Sequence, residues 1–203
     1  ISGHNIVSES IMPDSWIYPS KEARLITGIQ RKFGHYNLKK YPKLTTFNYI
    51  DYLLIRGIRW IPILNYYPYS KQDAEKIIST ELGWREYGGK HYENIFTRFF
   101  HAYYLPLKFG YDMRRPYFTP LILSGQMTRY EAMLELEKPT APPEQLKNDK
   151  EYVIKKLGMS EDEFEQIMRN PPKLFSDYPN NYALWHNLDL FVKLARHWII
   201  RVK

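Results

Sequence analysis

The sequence predicts an α/β start followed by a mainly α-helical extension, so that the whole is mainly α by residue count. Two observations carry this prediction. An apparent strand end, ISGHNIV at 1–7, and a β-rich apolar run, IRWIPILNY at 58–66, bracket a pair of helical segments. Beyond residue 70 the pattern is helical almost without a break, and Ser or Thr recurs three residues ahead of an acid. Alternating helix and strand, then helices alone, is the signature of an α/β layer carrying an α extension.

Taken in order, ISGHNIV reads as a strand end running into a loop. SKEARLITGIQRKFG (20–34) reads as a helix with Ser20 as its N-cap and Gly34 as its stop. TTFNYIDYLLIRG (45–57) is a second helix, apolar at Phe47, Ile50, Leu53 and Leu54 and closed by Gly57. IRWIPILNY reads as a short buried strand, with Pro62 arguing against a central position. SKQDAEKIISTELGW (70–84) opens on Ser70 with Asp73 three residues on. YENIFTRFFHAYYLPLKFG (92–110) is aromatic on most faces, as a buried or cleft-lining helix would be. TRYEAMLELEK (128–138) carries the full capping box Thr128…Glu131. Pro139, Pro142 and Pro143 mark a hinge at 139–143, and a helical hairpin follows, its second helix capped by Ser160…Glu163. A last helix is expected over 181–202, with His186 and His197 packed beside Trp185 and Trp198. Two domains are expected, 1–80 and 81–203.

Composition narrows the function. The 203 residues include 18 Tyr, 10 Phe and 5 Trp, side chains suited to wet clefts because the ring is apolar and, in Tyr and Trp, the edge is polar. The absence of Cys excludes disulfides, thiolate metal sites and a thiol nucleophile, and fits a reducing, cytoplasmic address. A net charge of +7 favours an anionic partner. No apolar run reaches the roughly 18 residues that would span a bilayer, so membrane insertion is not expected. The chain opens at Ile1 in what reads as mid-strand, and we read it as a portion of a longer polypeptide.

Three stretches carry candidate chemistry. SGHN at 2–5 follows an apparent strand, where α/β proteins bind ligands, so Gly3, His4 and Asn5 are candidates for a nucleotide; an ordinary strand-to-loop turn is the competing reading. EYGGKHYENIFTR (86–98) offers Glu86, Lys90, His91, Glu93 and Arg98 around Gly88-Gly89. Lys90 and Arg98 could hold phosphates, and His91 or Glu93 could move a proton. The competing reading is a Glu86–Lys90 surface pair beside a glycine helix stop. No metal site is expected there, since His91 and Glu93 are two residues apart and His101 is displaced along the helix. Arg114-Arg115, ahead of an aromatic turn, could clamp an anion or simply end a helix. SGQMTR, with Ser124, Gly125 and Gln126, reads as a turn into the next helix.

These segments together resemble a known family. ISGHNIVSESIMP, then helices, then IRWIPILNYYPYSKQDAEKII is similar to the later part of a PP-loop ATP pyrophosphatase domain, whose sheet is of the adenine nucleotide alpha hydrolase type. LGWREYGGKHYENIFTRFFHAYYLPLKFGYDMRRPYFTPLILSGQMTRYEAMLEL closely resembles the N-acetyl sugar amidotransferases of bacterial surface-polysaccharide (LPS O-antigen) biosynthesis, the WbpG/PseA-like group. The resemblance spans about residues 1–180, and 82–135 is its specific part. It implies ATP and Mg²⁺ as cofactors and a nucleotide-linked N-acetyl sugar as substrate. It also implies glutaminase and synthase-like subunits that supply ammonia, and conversion of an acetamido to an acetamidino group through adenylation. By resemblance Gly3, His4 and Asn5 fall on the nucleotide side. Lys90, His91, Glu93 and Arg98 take catalytic roles, and Arg114, Arg115, Tyr87, Gly88 and Gly89 face the substrate. The chain departs from the superfamily in having no SGGxDS loop, so turnover of ATP by this polypeptide alone is not expected. It also has Val7 and Ser8 where acids often follow GHN, leaving Glu9 as the nearest carboxylate.

Two other classes compete. A helical nucleic-acid-binding module would use +7 and the aromatic rings, but the interspersed acids argue against a basic stripe. A non-catalytic interaction module would use the hairpin after Pro143 to dock a partner. Convergence of Lys90, His91, Arg98 and Arg115 in one cleft beside residues 3–5 would favour the enzyme.

Overall fold

A computed structural model describes residues 1–17, 22–184, 186 and 187. It divides into two compact units. The larger comprises Ile1–Trp16 and Trp60–Pro172; the smaller comprises Ile17–Arg59 and the described residues from Lys173 onward.

The smaller unit is built on α1 (Ala23–Phe33) and α2 (Thr46–Ile50). The expected cap Ser20 lies outside the described residues; the N-cap is Glu22, whose buried carboxylate accepts from the backbone N–H groups of Arg24 and Leu25. A carboxylate at this position both satisfies orphan donors and complements the positive end of the helix. Asn181 donates to the same carboxylate. α2 is shorter than predicted: after the Thr45–Asn48 capping box it passes into a π-helical turn, Asp51–Ile55, and stops before left-handed Gly57. Most of the predicted last helix, including His197 and Trp198, as well as Trp185, lies outside the described residues.

In the larger unit the predicted sheet reduces, among the described residues, to an isolated parallel bridge between Ser2 and Pro62. Ser2 donates to the Ile61 carbonyl (2.9 Å) and accepts from Ile63 N–H (3.1 Å). A parallel bridge uses the neighbours of the facing residue, so the missing N–H of Pro62 costs nothing here but leaves little room for a ladder. Ile63–Tyr66, predicted as strand, forms a 3-10 turn instead.

From Ser70 onward the prediction of helices holds. α3 (Lys71–Leu82) is capped by Ser70 and ends at left-handed Gly83. The aromatic run divides into α4 (Ile95–Phe99), a π turn (Phe100–Tyr104) and α5 (Leu105–Phe109). Pro106 explains part of that break. It has no N–H to offer the Ala102 carbonyl, and the Thr140 hydroxyl donates there instead (2.7 Å). α6 (Arg114–Leu123) stands where an aromatic turn was expected after Arg115, and it contains two prolines, Pro116 and Pro120, both fully buried. Pro120 leaves the Pro116 carbonyl without its helical donor, and Ile11 N–H takes that place (3.0 Å). Pro106 and Pro120 therefore each leave open a carbonyl to which a distant segment is tied.

α7 (Arg129–Glu137) and α9 (Glu161–Arg169) both open on the predicted capping boxes, while α8 (Pro143–Leu157) has Pro at its first position, where no N–H is needed. Phe99 of α4, Val153 and Ile154 of α8 and Phe164 of α9 form the buried core, with Tyr103, Tyr104, Met159 and Met168 against it. Lys108 donates to the carbonyls of Ile167, Met168 and Asn170, neutralising the negative end of α9.

Candidate functional site

The turn EYGGKHYE is shaped by backbone that only certain residues tolerate. Gly88 is left-handed (φ 86°), and a Cβ on Gly89 would meet the Tyr92 ring at 2.9 Å. His91 also holds a positive φ of 68°, an uncommon state for a side-chain-bearing residue. This tight turn carries Lys90 into a cleft of about 350 Å³, walled by the cavity-facing side of α6. Arg114, Tyr117, Phe118 and Leu121, spaced three, four and seven residues apart along α6, all line it.

The Lys90 ammonium donates to the Ser8 carbonyl (2.8 Å), lies 3.6 Å from the Glu9 carboxylate and sits 4.8 Å from the centre of the Tyr117 ring. Burial pushes the Lys90 pKa below its ordinary value, and Glu9 partly restores it. Burial also pushes the Tyr117 phenol up to about 12, with the Glu9 charge adding to the effect, so it stays a neutral donor. His101, on the π turn, has a buried Nδ1 with no hydrogen-bond partner among the described residues. Burial, then the neighbouring His91, lowers its pKa, so the imidazole is neutral near pH 7.

The GHN segment joins this cleft through Glu9. His4 Nδ1 lies 3.3 Å from one Glu9 oxygen while Lys90 faces the other. His4 is exposed and lines a second, shallower cavity of about 290 Å³ with Asn5, Glu9 and Trp60. Asn5 is buried and its side chain is spent on structure: Nδ2 donates to the Leu64 carbonyl (2.9 Å) and Oδ1 accepts from Val7 N–H (2.9 Å). Gly3 has open space where a side chain would stand.

The remaining predicted residues do not converge. Arg98 makes a bidentate pair with Asp149 (2.7 and 2.8 Å) and donates to the Tyr92 carbonyl, which commits its guanidinium to holding α4 on α8. Arg114 lines the cleft, but it pairs with Asp112 and donates to the carbonyls of Glu135, Leu136 and Lys138 at the end of α7. Burial alone would raise the Asp112 pKa; the Arg114 contacts hold it below the usual carboxylate range. Arg115 is exposed. His91 and Glu93 are exposed and 3.9 Å apart, and Tyr87 is exposed with its ring edge on Trp84. Gly88 and Gly89 line the cleft.

Sequence reasoning passed over Tyr117 and weighed His101 only as a metal ligand, yet both line the cleft. Tyr117 would have emerged from the spacing of α6 had the stretch after Arg115 been read as a helix and not as an aromatic turn. Nothing local marks His101; it enters through the π turn. Among the described residues no three His, Asp or Glu side chains are grouped to hold a metal ion. Glu9 and Asp112 are both engaged by cations, so these residues do not fit a protein-held Mg²⁺ site.

Residues 93–192 match the model of the LPS biosynthesis protein WbpG-like C-terminal domain. Over these residues the chain is similar to the WbpG-like C-terminal domain. No curated protein and no solved structure matches it. The WbpG-like segment supplies His101 and the cleft-facing side of α6, while the Lys90 turn immediately precedes it. No helix among the described residues is long and apolar enough to cross a membrane.

Proposed function

We propose that this chain is the C-terminal portion of an ATP-dependent amidotransferase that converts an acetamido group of a nucleotide-linked sugar to an acetamidino group. The observation that supports this most is the Lys90 ammonium, drawn into a cleft of the WbpG-like domain and joined through Glu9 to His4 of the GHN segment.

An amide carbonyl is a poor electrophile because nitrogen donates into it. In the proposed reaction the carbonyl oxygen attacks the α-phosphorus of ATP. The α–β bridging P–O bond breaks and pyrophosphate leaves. Ammonia then attacks the activated carbon, the C–O bond breaks, AMP departs with that oxygen, and the acetamidino group remains. Lys90 offsets phosphate charge as it develops, at short range in a partly desolvated site. Tyr117, held as a phenol, donates a hydrogen bond into the cleft. Neutral His101 accepts a proton from the incoming nitrogen, which bears one too many after attack. Glutaminase and synthase-like partners supply the ammonia, and the complete enzyme uses ATP with Mg²⁺ in the cytoplasm.

The test is incubation of the full-length protein with ATP, Mg²⁺, ammonia and a panel of nucleotide-linked N-acetyl sugars. Pyrophosphate release that depends on both sugar and ammonia is expected, with oxygen exchanged for NH in the product's mass. A folded protein that releases none with any acetamido sugar overturns the reading.

A further inference from the structure

The smaller unit carries a basic groove of about 670 Å³ that plays no part in the chemistry above. Helix α1 forms one wall. Arg24, Gly28 and Arg31 are spaced four and three residues apart and share a face, with Lys32 beside them. Lys43, from the segment leading into α2, also lines the groove. Of the described residues that line the groove, four are cationic and none carries a carboxylate. Pro179 packs so closely on Gly28 that a Cβ there would lie 2.9 Å from its ring.

The neighbouring groups leave these charges available. The Thr27 hydroxyl is occupied, donating to the Ala23 carbonyl (2.7 Å). Glu22, the acid nearest in sequence, is buried and committed to capping α1 and to Asn181. Arg24 gives one guanidinium N–H to Asn181 (3.1 Å) and keeps its others. Lys32 is held over the rings of Phe33 and Tyr178, at 5.4 and 5.5 Å from their centres, which restrains the cation without neutralising it. Arg31 and Lys43 have no ion-pair partner among the described residues, and all four cations are exposed.

Like charges repel, so gathering four of them round one concavity without an acid is unfavourable unless an anion joins them. We propose that this groove is a binding site for a small molecule bearing a diphosphate group. Two linked phosphates present several anionic oxygens to a ring of cations. The concavity and its volume suit a small molecule, since ligand pockets span roughly 300–1,000 Å³. Arg31 is placed to fork onto phosphate oxygens, and Lys32 and Lys43 act as point charges. A free diphosphate ester and the headgroup of an anionic lipid share this chemistry, and the proposal commits to the free molecule.

The test uses the full chain and inorganic pyrophosphate, titrated by calorimetry at low and at physiological salt, with Lys90→Gln and Arg31→Gln/Lys43→Gln as variants. Saturable binding that weakens with salt is expected, with about a tenfold or greater loss in Arg31→Gln/Lys43→Gln. Lys90→Gln should retain it, which separates this groove from the amidotransferase cleft. Equal affinity in wild type and the double variant overturns the proposal, as does loss of all binding in Lys90→Gln. Co-flotation with phosphatidylglycerol vesicles in the absence of saturable pyrophosphate binding also overturns it, in favour of a membrane surface.

Discussion

Replacing Asp149 with Asn removes a charge and leaves the side-chain shape nearly unchanged. In the native chain both carboxylate oxygens accept from Arg98, at 2.7 and 2.8 Å, and Asp149 is only 4% exposed. Its hydrogen bonds also hold the Arg98 guanidinium in its charged form, raising its pKa. After Asp149→Asn the guanidinium keeps the Tyr92 carbonyl but faces an uncharged amide that accepts only one of the two bonds. Breaking a buried pair on one side costs about 3–5 kcal/mol; the Arg98 side chain retains some solvent contact, which favours the lower end, about 3 kcal/mol. For a chain of this size that corresponds to a fall in Tm of about 6–12 °C. Thermal unfolding followed by far-UV circular dichroism reads it directly. Arg98→Met/Asp149→Leu should recover most of the loss, because the apolar pair leaves no buried charge behind. A shift under about 2 °C for Asp149→Asn, or a double variant as unstable as the single one, would refute the structural assignment of Arg98.

Gly88→Ala should cost about 1–2 kcal/mol, the penalty of a side chain in left-handed backbone, measured as a lower urea midpoint. Thr128→Ala should cost about 1 kcal/mol by removing the hydroxyl that caps α7, with no change in pyrophosphate binding by the smaller unit. Tyr117 has a native pKa raised to about 12, above the ordinary value for an unfolded chain. Its contribution to stability is therefore fully present below pH about 10 and lost as the pH rises to about 12, because the unfolded state ionises first. Tyr117→Phe should flatten the alkaline limb of stability against pH, and an unchanged limb would count against its burial.

The parts of this fold that could be read from the sequence are those decided within a few residues. Thr128–Glu131, Ser160–Glu163 and Ser70 cap the helices they were expected to cap, because a hydroxyl three residues from a waiting N–H needs no tertiary help. The failures arise where distant groups decide. The stretch after Arg115 read as an aromatic turn, yet α6 runs through it because Ile11 satisfies the carbonyl that Pro120 leaves open. IRWIPILNY has strand composition but finds only Ser2 to pair with among the described residues. In the cleft, Lys90 was visible because a Gly pair beside a lysine suggests close approach to a ligand. Arg98 looked equally suited to phosphate, and only Asp149, 51 residues away, shows where its charge is spent. Glu9 was noticed as the carboxylate nearest GHN; its position between His4 and Lys90 is a property of the folded chain.

The role proposed for Lys90 is to hold phosphate charge in an amidotransferase cleft. The most direct measurement compares sugar- and ammonia-dependent pyrophosphate release by the full-length protein with that of Lys90→Ala, alongside thermal unfolding of both. A loss of about 10²–10³ in rate is expected, the scale for removing one electrostatic stabiliser of the transition state, with Tm within about 2 °C of wild type. An unchanged rate in the folded variant would contradict it and return Lys90 to a tether between the GGK turn and the Ser8 carbonyl.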